Sequence, residues 1–593
     1  MATPPTRAKK APPCGGVMRG PDAGLKRWAM AAWTAIALMV APAPTAWGAT
    51  ISESDAARFL TQATFGPTPA DVARVQALGY AGWLDEQFAM PRELPSHQAY
   101  WDQRNAILRK QNDQSSTDEV TASFWKHAIT GRDQLRQRMA FALSEIFVVS
   151  LADSCGDLQA ARGVANFFDM LNEMAFDRYR FLLERVALHP TMGCFLSHLH
   201  NEKEDLATGR IPDENFAREL MQLFSIGLFE LNLDGSPKLN AQGKPIETYQ
   251  ADDVIGLAKV WTGFSWDCPM PRNGGCFLQG VNSATGASYA DKWVMPMAPY
   301  PQFHSTAEKR FLGVKIASTW LADPMGDVQL ALDAIASHPN VAPFISKQLI
   351  QRFVTANPSP SYVQRVASVF TKSQGDLGAV IRAILLDDEA RVAPATSSDS
   401  TYAGKLKEPV LRLSALMRAF DAQSATGAFL MRPTHDPGFG LGQSPLRSPT
   451  VFNFFRPGYV AAGSRMAKGG LLNPEMQLVS DVSAAGYVNF MRGFIEFGTG
   501  WQGFDRQSGP PDIQLAFNLN DDHPLLTLAS TPSDLVNEVD KRLMGGLMNA
   551  ELKRLITDAV SSIHQPEQLK NRRHRVHTAL LLTVASPEFL VQR

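Results

Sequence analysis

Apolar side chains recur every three or four positions along most of the chain, the spacing that gives a helix one apolar face. The clearest helix start is Thr68-Pro69-Ala70-Asp71, where a capping threonine and a proline precede an acid. Gly79 is the expected end of that helix. The same spacing predicts helices over 54–64, 133–149, 163–186, 212–224, 250–260, 328–338, 341–354, 361–371, 377–386, 408–422, 532–545 and 568–584. The fold class we expect is therefore mainly α, with a large multi-helical body.

Two insertions interrupt this helical pattern. Turn-like motifs at 232–236 and 241–244 predict a small β-hairpin. The hairpin opens an irregular insertion at about 231–313, and a second irregular insertion covers about 434–473. Because no internal repeat is present, residues 50–593 are predicted to form a single large helical domain with these hairpin and loop insertions.

The segment 212–224 has the most two-faced pattern of the chain. In a helix that turns about 100° per residue, its polar side chains share one arc of about 140° and its apolar ones lie opposite. Four residues of that arc are our candidate catalytic residues: Glu214, Asn215, Arg218 and Glu219. Two carboxylates in unequal environments can act as acid and base, or bind a hard cation. The alternative is an exposed Glu214–Arg218 pair that braces the helix surface.

Asp253, His304 and Lys309 are candidate ligand-binding residues of the same cleft. His304 and Lys309 fall in an irregular loop, where binding residues are often presented. Asp253 alternatively belongs to the first turn of a helix, where the helix dipole favours an acid. Weaker candidates for binding an anionic ligand are Arg352, Arg447 and Arg456.

His198-Leu199-His200 is a motif with two interpretations. On a strand both imidazoles would point to one side, where they could chelate a metal, whereas an ordinary polar loop is the other interpretation. No motif identifies a metal or a cofactor, so both stay unknown. The chain also lacks G-x-S-x-G, a P-loop, H-E-x-x-H and a G-x-G-x-x-G after a strand, which removes the signatures of several enzyme classes.

Composition indicates a folded globular protein, with 45% hydrophobic and 19% charged residues in 593. The net charge of −1 hides an asymmetry, because residues 1–49 hold six of the 57 basic residues and one of the 58 acidic ones. The remainder therefore carries −6 and gives no electrostatic case for binding nucleic acid. After residue 50, no apolar run reaches the roughly 18 residues that span a bilayer, so no transmembrane anchor is expected there.

The N-terminal segment has the parts of a secretory signal peptide. Lys26 and Arg27 precede an apolar stretch over 28–40, and small residues follow. We predict a signal peptide over 1–49, cleaved between Ala43 and Ala49, and a periplasmic or extracellular location. An N-terminal membrane anchor is the alternative.

Export changes the interpretation of the cysteines. Four remain after residue 49, and an even number in an oxidising compartment favours disulfides. Cys268 and Cys276 bracket a turn-rich loop and are predicted to pair, as are Cys155 and Cys194. A zinc site is the alternative, although no closely spaced Cys or His motif supports it.

Several segments, taken in order, resemble the DUF1800 family. These are ARFLTQATFGPT at 57–68, GYAGWLDEQ at 79–87, ENFAREL at 214–220, YQADDV at 249–254, WTGF at 261–264, His304 through Lys309 to Gly313, LIQRFV at 349–354 and SPTVF at 448–452. Two positions depart from the family pattern. Asp213 stands where asparagine is usual, and 141–147 replaces a segment normally richer in Trp, Asn and His, so a function of those histidines does not transfer.

The resemblance implies a large, exported bacterial protein of unassigned activity. Such proteins are often encoded beside exported DUF1501 proteins, which look like relatives of sulfatases or phosphatases. The implied function is therefore undefined biochemically, with a role as an assembly or partner protein for an exported DUF1501-type protein. The alternative is an extracytoplasmic hydrolase-like or metal-binding enzyme that uses the Glu/Asn/Arg/Glu cleft.

Overall fold

Capped helices build most of the molecule. The computed structural model describes residues 51–152, 155, 157, 159–269, 272–282, 285–392, 404–502, 510–565 and 567–593, so the predicted signal peptide lies outside the described residues. Thr68 Oγ1 accepts a hydrogen bond from the Asp71 amide at 3.1 Å, and the Asp71 carboxylate accepts one from the Thr68 amide at 3.2 Å. Gly79, with φ of 72° and ψ of 166°, breaks the helical backbone as expected, and a second helical stretch follows at once, so that α2 is two helices joined by a kink.

The mainly α fold class is confirmed. The helices are α1 Glu53–Ala63, α2 Pro69–Ala89, α3 His97–Arg109, α4 Thr117–Thr130, α5 Gln134–Ser144, α6 Ala160–Glu173, α7 Tyr179–Ala187, α8 Pro190–Phe195, α9 Asn215–Gln222, α10 Ala251–Val260, α11 Gly274–Gln279, α12 Pro324–Ala336, α13 Val341–Phe353, α14 Pro360–Lys372, α15 Leu377–Leu386, α16 Asp388–Arg391, α17 Pro409–Ala419, α18 Arg465–Lys468, α19 Asp481–Phe497, α20 Ala516–Leu519, α21 Pro524–Leu528, α22 Pro532–Met544, α23 Ala550–Ser561, α24 Gln568–Val584 and α25 Pro587–Leu590.

Strands are short and join in small groups. They are β1 Phe264–Ser265, β2 Ala298–Pro299, β3 Lys309–Phe311, β4 Val314–Ile316, β5 Lys405–Leu406, β6 Ala422–Ser424, β7 Thr499–Gln502, β8 Pro511–Leu515 and β9 Val591–Gln592. Antiparallel pairs form between β1 and β2, β3 and β4, and β5 and β9, while β8 lies between β6 and β7. In the predicted hairpin region, isolated bridges join Leu231 to Pro237 and Leu239 to Pro245.

One apolar cluster extends along the chain, with members from Ala56 in α1 to Phe589 in α25. Within it, α9 packs against α10, α10 packs against β3, and α13 packs against α14 and α5. The predicted helix over 163–186 is two helices, α6 and α7, because a 3₁₀ turn at Met174–Phe176 and an extended Asp177 separate them. Among the described residues, no helix has the length and apolar character needed to cross a membrane.

Candidate functional site

Three of the four candidate catalytic residues lie at the surface. Arg218 Nη2 is 2.9 Å from Glu214 Oε2, and these side chains are 46% and 34% exposed. The Asn215 amide donates to Ser197 Oγ at 3.3 Å. Contacts of this kind brace a helix surface and contribute about 0.2–0.5 kcal/mol.

Glu219 differs from its neighbours because it points into the protein. It is 7% exposed, and no described residue donates a hydrogen bond to its Oε2 atom. Burial raises the pKa of Glu219, and the nearby charge of Arg218 only partly opposes that effect. One turn further on, Gln222 Oε1 accepts a hydrogen bond from the Tyr249 hydroxyl at 3.2 Å.

The candidate ligand-binding residues divide into two groups. His304 Nε2 and Lys309 Nζ both meet Asp327 Oδ2, at 3.0 and 2.8 Å, and both side chains are almost fully buried. Burial alone would raise the pKa of Asp327, but these two hydrogen bonds outweigh it and hold that pKa below its usual range. Asp253 instead binds backbone amides, those of Gln250 at 2.8 Å and Leu312 at 2.7 Å.

Of the two histidines of the H-x-H motif, His198 is fully buried and His200 is half-buried. His198 hydrogen-bonds the carbonyl of Ala187 at 2.8 Å and stacks on Phe216, whose ring centroid is 3.7 Å away. His200 lies beside Trp266. Burial lowers the pKa of both histidines to about 4. No group of three His, Cys, Asp or Glu side chains placed to hold a metal occurs in the described part of the chain.

Both predicted cysteine pairs are joined. The bond between Cys155 and Cys194 ties the segment before α6 to α8, with Cα atoms 6.3 Å apart. The bond between Cys268 and Cys276 closes the loop before α11, with Cα atoms 6.2 Å apart.

A buried cluster of charges lies between α5, α13 and α17, and its members come from distant parts of the sequence. The charge cluster comprises three acids and three bases: Glu145, Glu408, Glu475, Arg138, Arg352 and Lys405. Lys405 Nζ is 2.8 Å from Glu475 Oε1 and 3.6 Å from Glu408 Oε1. Arg352 Nη1 is 3.6 Å from Glu145 Oε2. Six ionisable groups this close and this buried require mutual compensation, because each charged one loses its hydration.

Two carboxyl groups in the charge cluster meet directly. The side chains of Glu145 and Glu408 interact electrostatically at close range, and because two carboxylates cannot hydrogen-bond to each other, a bond between them requires that one hold a proton. Burial raises the pKa of Glu145 well above its usual range, and the charge of Arg352 does not offset this. Burial would also raise the pKa of Glu408, but the charge of Lys405 outweighs it and lowers that pKa to about 2. Glu145 is therefore the protonated member and Glu408 the ionised one.

The neighbouring side chains fit that assignment. Glu408 Oε2 accepts a hydrogen bond from the Gln443 amide at 2.8 Å, and Glu145 Oε1 accepts one from the Asn453 amide at 3.0 Å. The remaining oxygens, Glu145 Oε2 and Glu408 Oε1, have no other hydrogen-bond donor among the described residues. A single proton shared between the two carboxyls satisfies both atoms.

Glu145 also borders a cavity of about 500 Å³. Its walls come from the end of α9, the insertion after it, α13 and the second irregular insertion: Gln222, Leu223, Gly227, Leu228, Phe229, Leu231, Gly235, Phe344, Lys347, Gln348, Gln351, Val451, Phe452, Arg456, Pro457, Gly458 and Leu472, with Ile146 beside Glu145. This is the size of a small-molecule site. Sequence reasoning missed Glu145, although it named Arg456 on the cavity wall and Arg352 beside Glu145.

The chain is similar to one protein family over almost its whole length. The model of the DUF1800 family, described as a protein of unknown function, matches residues 58–591. Neither the comparison with curated proteins nor that with solved structures gave a match. Since the family match covers nearly all of the chain, the protein belongs to the DUF1800 family.

Proposed function

We propose that this DUF1800 protein is an exported enzyme that performs hydrolase-like acid–base chemistry at the Glu145–Glu408 carboxyl pair. The observation that carries the proposal is a protonated carboxyl, Glu145, on the wall of a ligand-sized cavity. Two carboxyls with pKa values pushed apart are the usual means of supplying an acid and a base at one pH. In this arrangement the Glu145 Oε2–H group, which faces Glu408 at rest, turns toward the cavity to donate its proton to bound substrate, and the ionised Glu408 takes part by holding that proton between turnovers.

The other members of the charge cluster have positioning roles in this proposal. Lys405 keeps Glu408 ionised, and Gln443 fixes the orientation of its carboxylate. Asn453 holds the second oxygen of Glu145 and so turns Oε2 toward Glu408. Arg352 stabilises the negative charge that forms on Glu145 when its proton leaves.

Activity screening of matched variants tests the proposal. Wild type, Glu145→Gln and Glu214→Gln are assayed against chromogenic esters, amides, phosphoesters and glycosides. We expect one substrate class to be turned over by wild type and Glu214→Gln, and about 10²–10⁴-fold more slowly by Glu145→Gln. Full activity of Glu145→Gln, or no turnover of any class, overturns the proposal.

Export is the second part of the proposal. The basic residues and apolar stretch within 1–49 support a signal peptide, and the two disulfides support an oxidising compartment, periplasmic or extracellular. N-terminal sequencing of the protein recovered from that compartment should begin between residues 44 and 50. Recovery of the uncut chain from the cytoplasm would contradict export.

Glu219 offers an alternative location for the chemistry. The support is its buried Oε2 atom, which lacks a hydrogen-bond donor among the described residues, and its raised pKa. In this version Glu219 is the acid of the polar arc, and Glu214, Asn215 and Arg218 lie at its rim. Glu219→Gln should then remove the activity that Glu145→Gln retains, with unchanged thermal stability.

A partner protein of the DUF1501 type is the second candidate function. The observation that favours it is a set of exposed apolar side chains on two adjoining segments: Leu206, Ile211, Trp320 and Leu321 are 64–98% exposed. The segments are linked through residues 305 and 306: Ser305 donates to Glu204 at 2.8 Å, and the Thr306 carbonyl accepts from the Thr319 amide at 3.0 Å. A tagged chain should co-purify the DUF1501-type protein encoded beside it, and Trp320→Ser with Leu321→Ser should remove it. The control is Leu519→Ser, a distant exposed site.

A further inference from the structure

The walls of the 500 Å³ cavity are apolar where they meet solvent. Leu228 and Phe229 line it and are 48% and 43% exposed. Gly227 precedes them with φ of 72°, and a Cβ atom there would lie 2.7 Å from the Phe344 ring, so the backbone passes close to that wall. Large apolar side chains left in water at the mouth of a cavity are typical of a ligand groove.

The polar side chains of the cavity wall are two cations, one carboxyl group and three amides. Glu145, Lys347 and Arg456 are its ionisable lining residues. No salt bridge among the described residues includes Lys347 or Arg456, and the arginine guanidinium lies 5.1 Å from the Phe452 ring centroid. Gln348 is 7% exposed, and its Nε2 donor has no hydrogen-bond partner in the described part of the chain.

Apart from Glu145, no acid lines the cavity, and Asp234, next to the lining residue Gly235, acts on Lys347 only at longer range than a salt bridge. Since Glu145 is protonated, the ionisable lining contributes two cations and no anion. The buried Gln348 donor without a partner costs stability, as does the desolvation of half-buried Lys347, and an acceptor-rich group on a ligand would recover that cost. Arg456 is exposed and adds a second positive charge at the cavity mouth. The apolar walls require that the rest of the ligand be apolar.

We infer that the cavity binds an amphiphilic anion, an apolar body of acyl-chain size with one anionic end held by Lys347, Arg456 and Gln348. The inference rests on the proposed function, because it names the substrate class of the same site. It places the anionic end at the cations and the apolar body along Leu228, Phe229 and Phe344. The bond that reacts is then the one that reaches Glu145.

Calorimetric titration with decanoate tests this inference on the whole mature protein. We expect decanoate to bind, and hexanoate and the uncharged decanol to bind at least tenfold more weakly. Titration with decyl phosphate compares a phosphate with a carboxylate as the anionic end. Lys347→Met with Arg456→Met should weaken decanoate binding at least tenfold. The matched control is Lys315→Met with Arg74→Met, which removes two exposed cations that pair with surface acids.

The outcomes separate the ligand class from the chemistry. Equal binding of decanol and decanoate, or full binding by the Lys347/Arg456 variant, overturns the inference. If decanoate fails to bind but turnover still depends on Glu145, only the ligand class is wrong. If decanoate binds and no substrate class is turned over, only the proposed activity is wrong.

Discussion

Glu145 couples the stability of the protein to pH. An unfolded glutamate has a pKa of about 4.3, whereas burial raises the pKa of folded Glu145 well above that. From about pH 5 up to the raised pKa, the folded chain therefore holds a proton that the unfolded chain has released. Stability must fall as pH rises through this interval, by up to about 1.4 kcal/mol per pH unit.

Glu145→Gln should remove that dependence. Glutamine keeps the size of the side chain and a donor toward Glu408, but it does not titrate. Thermal unfolding of both proteins from pH 5 to 8 should show a difference that grows with pH, with the variant becoming relatively more stable. Titration of Glu408 does not contribute to this difference, because its lowered pKa of about 2 confines its effect on stability to acid pH. Parallel curves would show that Glu145 is ionised when folded.

Lys405 is the cation on which two buried carboxylates depend. Its side chain is fully buried, and its Nζ atom is 2.8 Å from Glu475 and 3.6 Å from Glu408. Lys405→Met would remove the nearest cation of both acids, so we expect a loss of about 3–5 kcal/mol in the free energy of unfolding by urea. Lys315→Met, at an exposed pair with Glu308, should cost about 0–1 kcal/mol. Equal losses in the two variants would contradict a buried ionic role for Lys405.

For single residues, the sequence predicts contacts between neighbours along the chain but not contacts between distant segments. The Glu214–Arg218 pair follows from a four-residue helical spacing, which needs no knowledge of the fold. The pairing of Glu145 with Glu408 depends on how α5 and α17 meet. No residue spacing in the sequence predicts that contact between helices, so the sequence around Glu145 does not indicate a functional role.

Among the helices, α10 can pack closely against β3 because one of its residues, Gly256, has no side chain. Gly256 faces β3, and a Cβ atom there would lie 1.8 Å from the Arg310 carbonyl oxygen. Gly256→Ala should push α10 away from β3 and cost about 1–3 kcal/mol in urea unfolding. Gly493, inside α19, has no atom within 4 Å of an added Cβ. Gly493→Ala should therefore stabilise by about 0.4–1 kcal/mol, and a stabilising Gly256→Ala would contradict the close approach.

The two disulfides should contribute unequally. Cys155–Cys194 spans 39 residues and Cys268–Cys276 spans eight. In the chain-entropy model, closing the longer loop stabilises by about 4 kcal/mol and the shorter by about 2.5 kcal/mol. Denaturant unfolding of Cys155→Ser/Cys194→Ser and Cys268→Ser/Cys276→Ser should show the larger loss in the first. The reverse order would contradict a loop-length effect.

Sequence patterns identified the amphipathic helices, which have one solvent-exposed face. α24 matches its predicted range of 568–584, and α22 matches its predicted start and ends one residue early. The chain gave no such signal for α4, because nearly all residues from Glu119 to Ile129 are buried and the apolar stripe has no polar side opposite. The merged prediction over 163–186 failed because apolar spacing continues across a turn that only backbone geometry reveals.

At the scale of the whole molecule, the last strand closes onto the middle of the chain. β9 pairs with β5, so Gln592 is the register partner of Lys405, the cation of the charge cluster. The Gln592 amide donates to the carbonyls of Phe353 and Val354, at 2.7 and 3.1 Å. The proposed catalytic region is therefore held by two paired strands that lie almost 190 residues apart in the sequence, β5 and β9.

Gln592→Ala tests whether this closure stabilises the entire body. It leaves two buried carbonyls without a donor, so we expect a loss of about 1–3 kcal/mol. Because one apolar cluster includes both Phe59 of α1 and Phe589 of α25, the loss should appear at both ends of the chain. Hydrogen exchange read by mass spectrometry should quicken at the slowest amides of α1 as much as at those of α24. Arg593→Ala, at an exposed neighbour, should leave exchange unchanged, and acceleration confined to α25 and β9 would mean that the closing strand unfolds by itself.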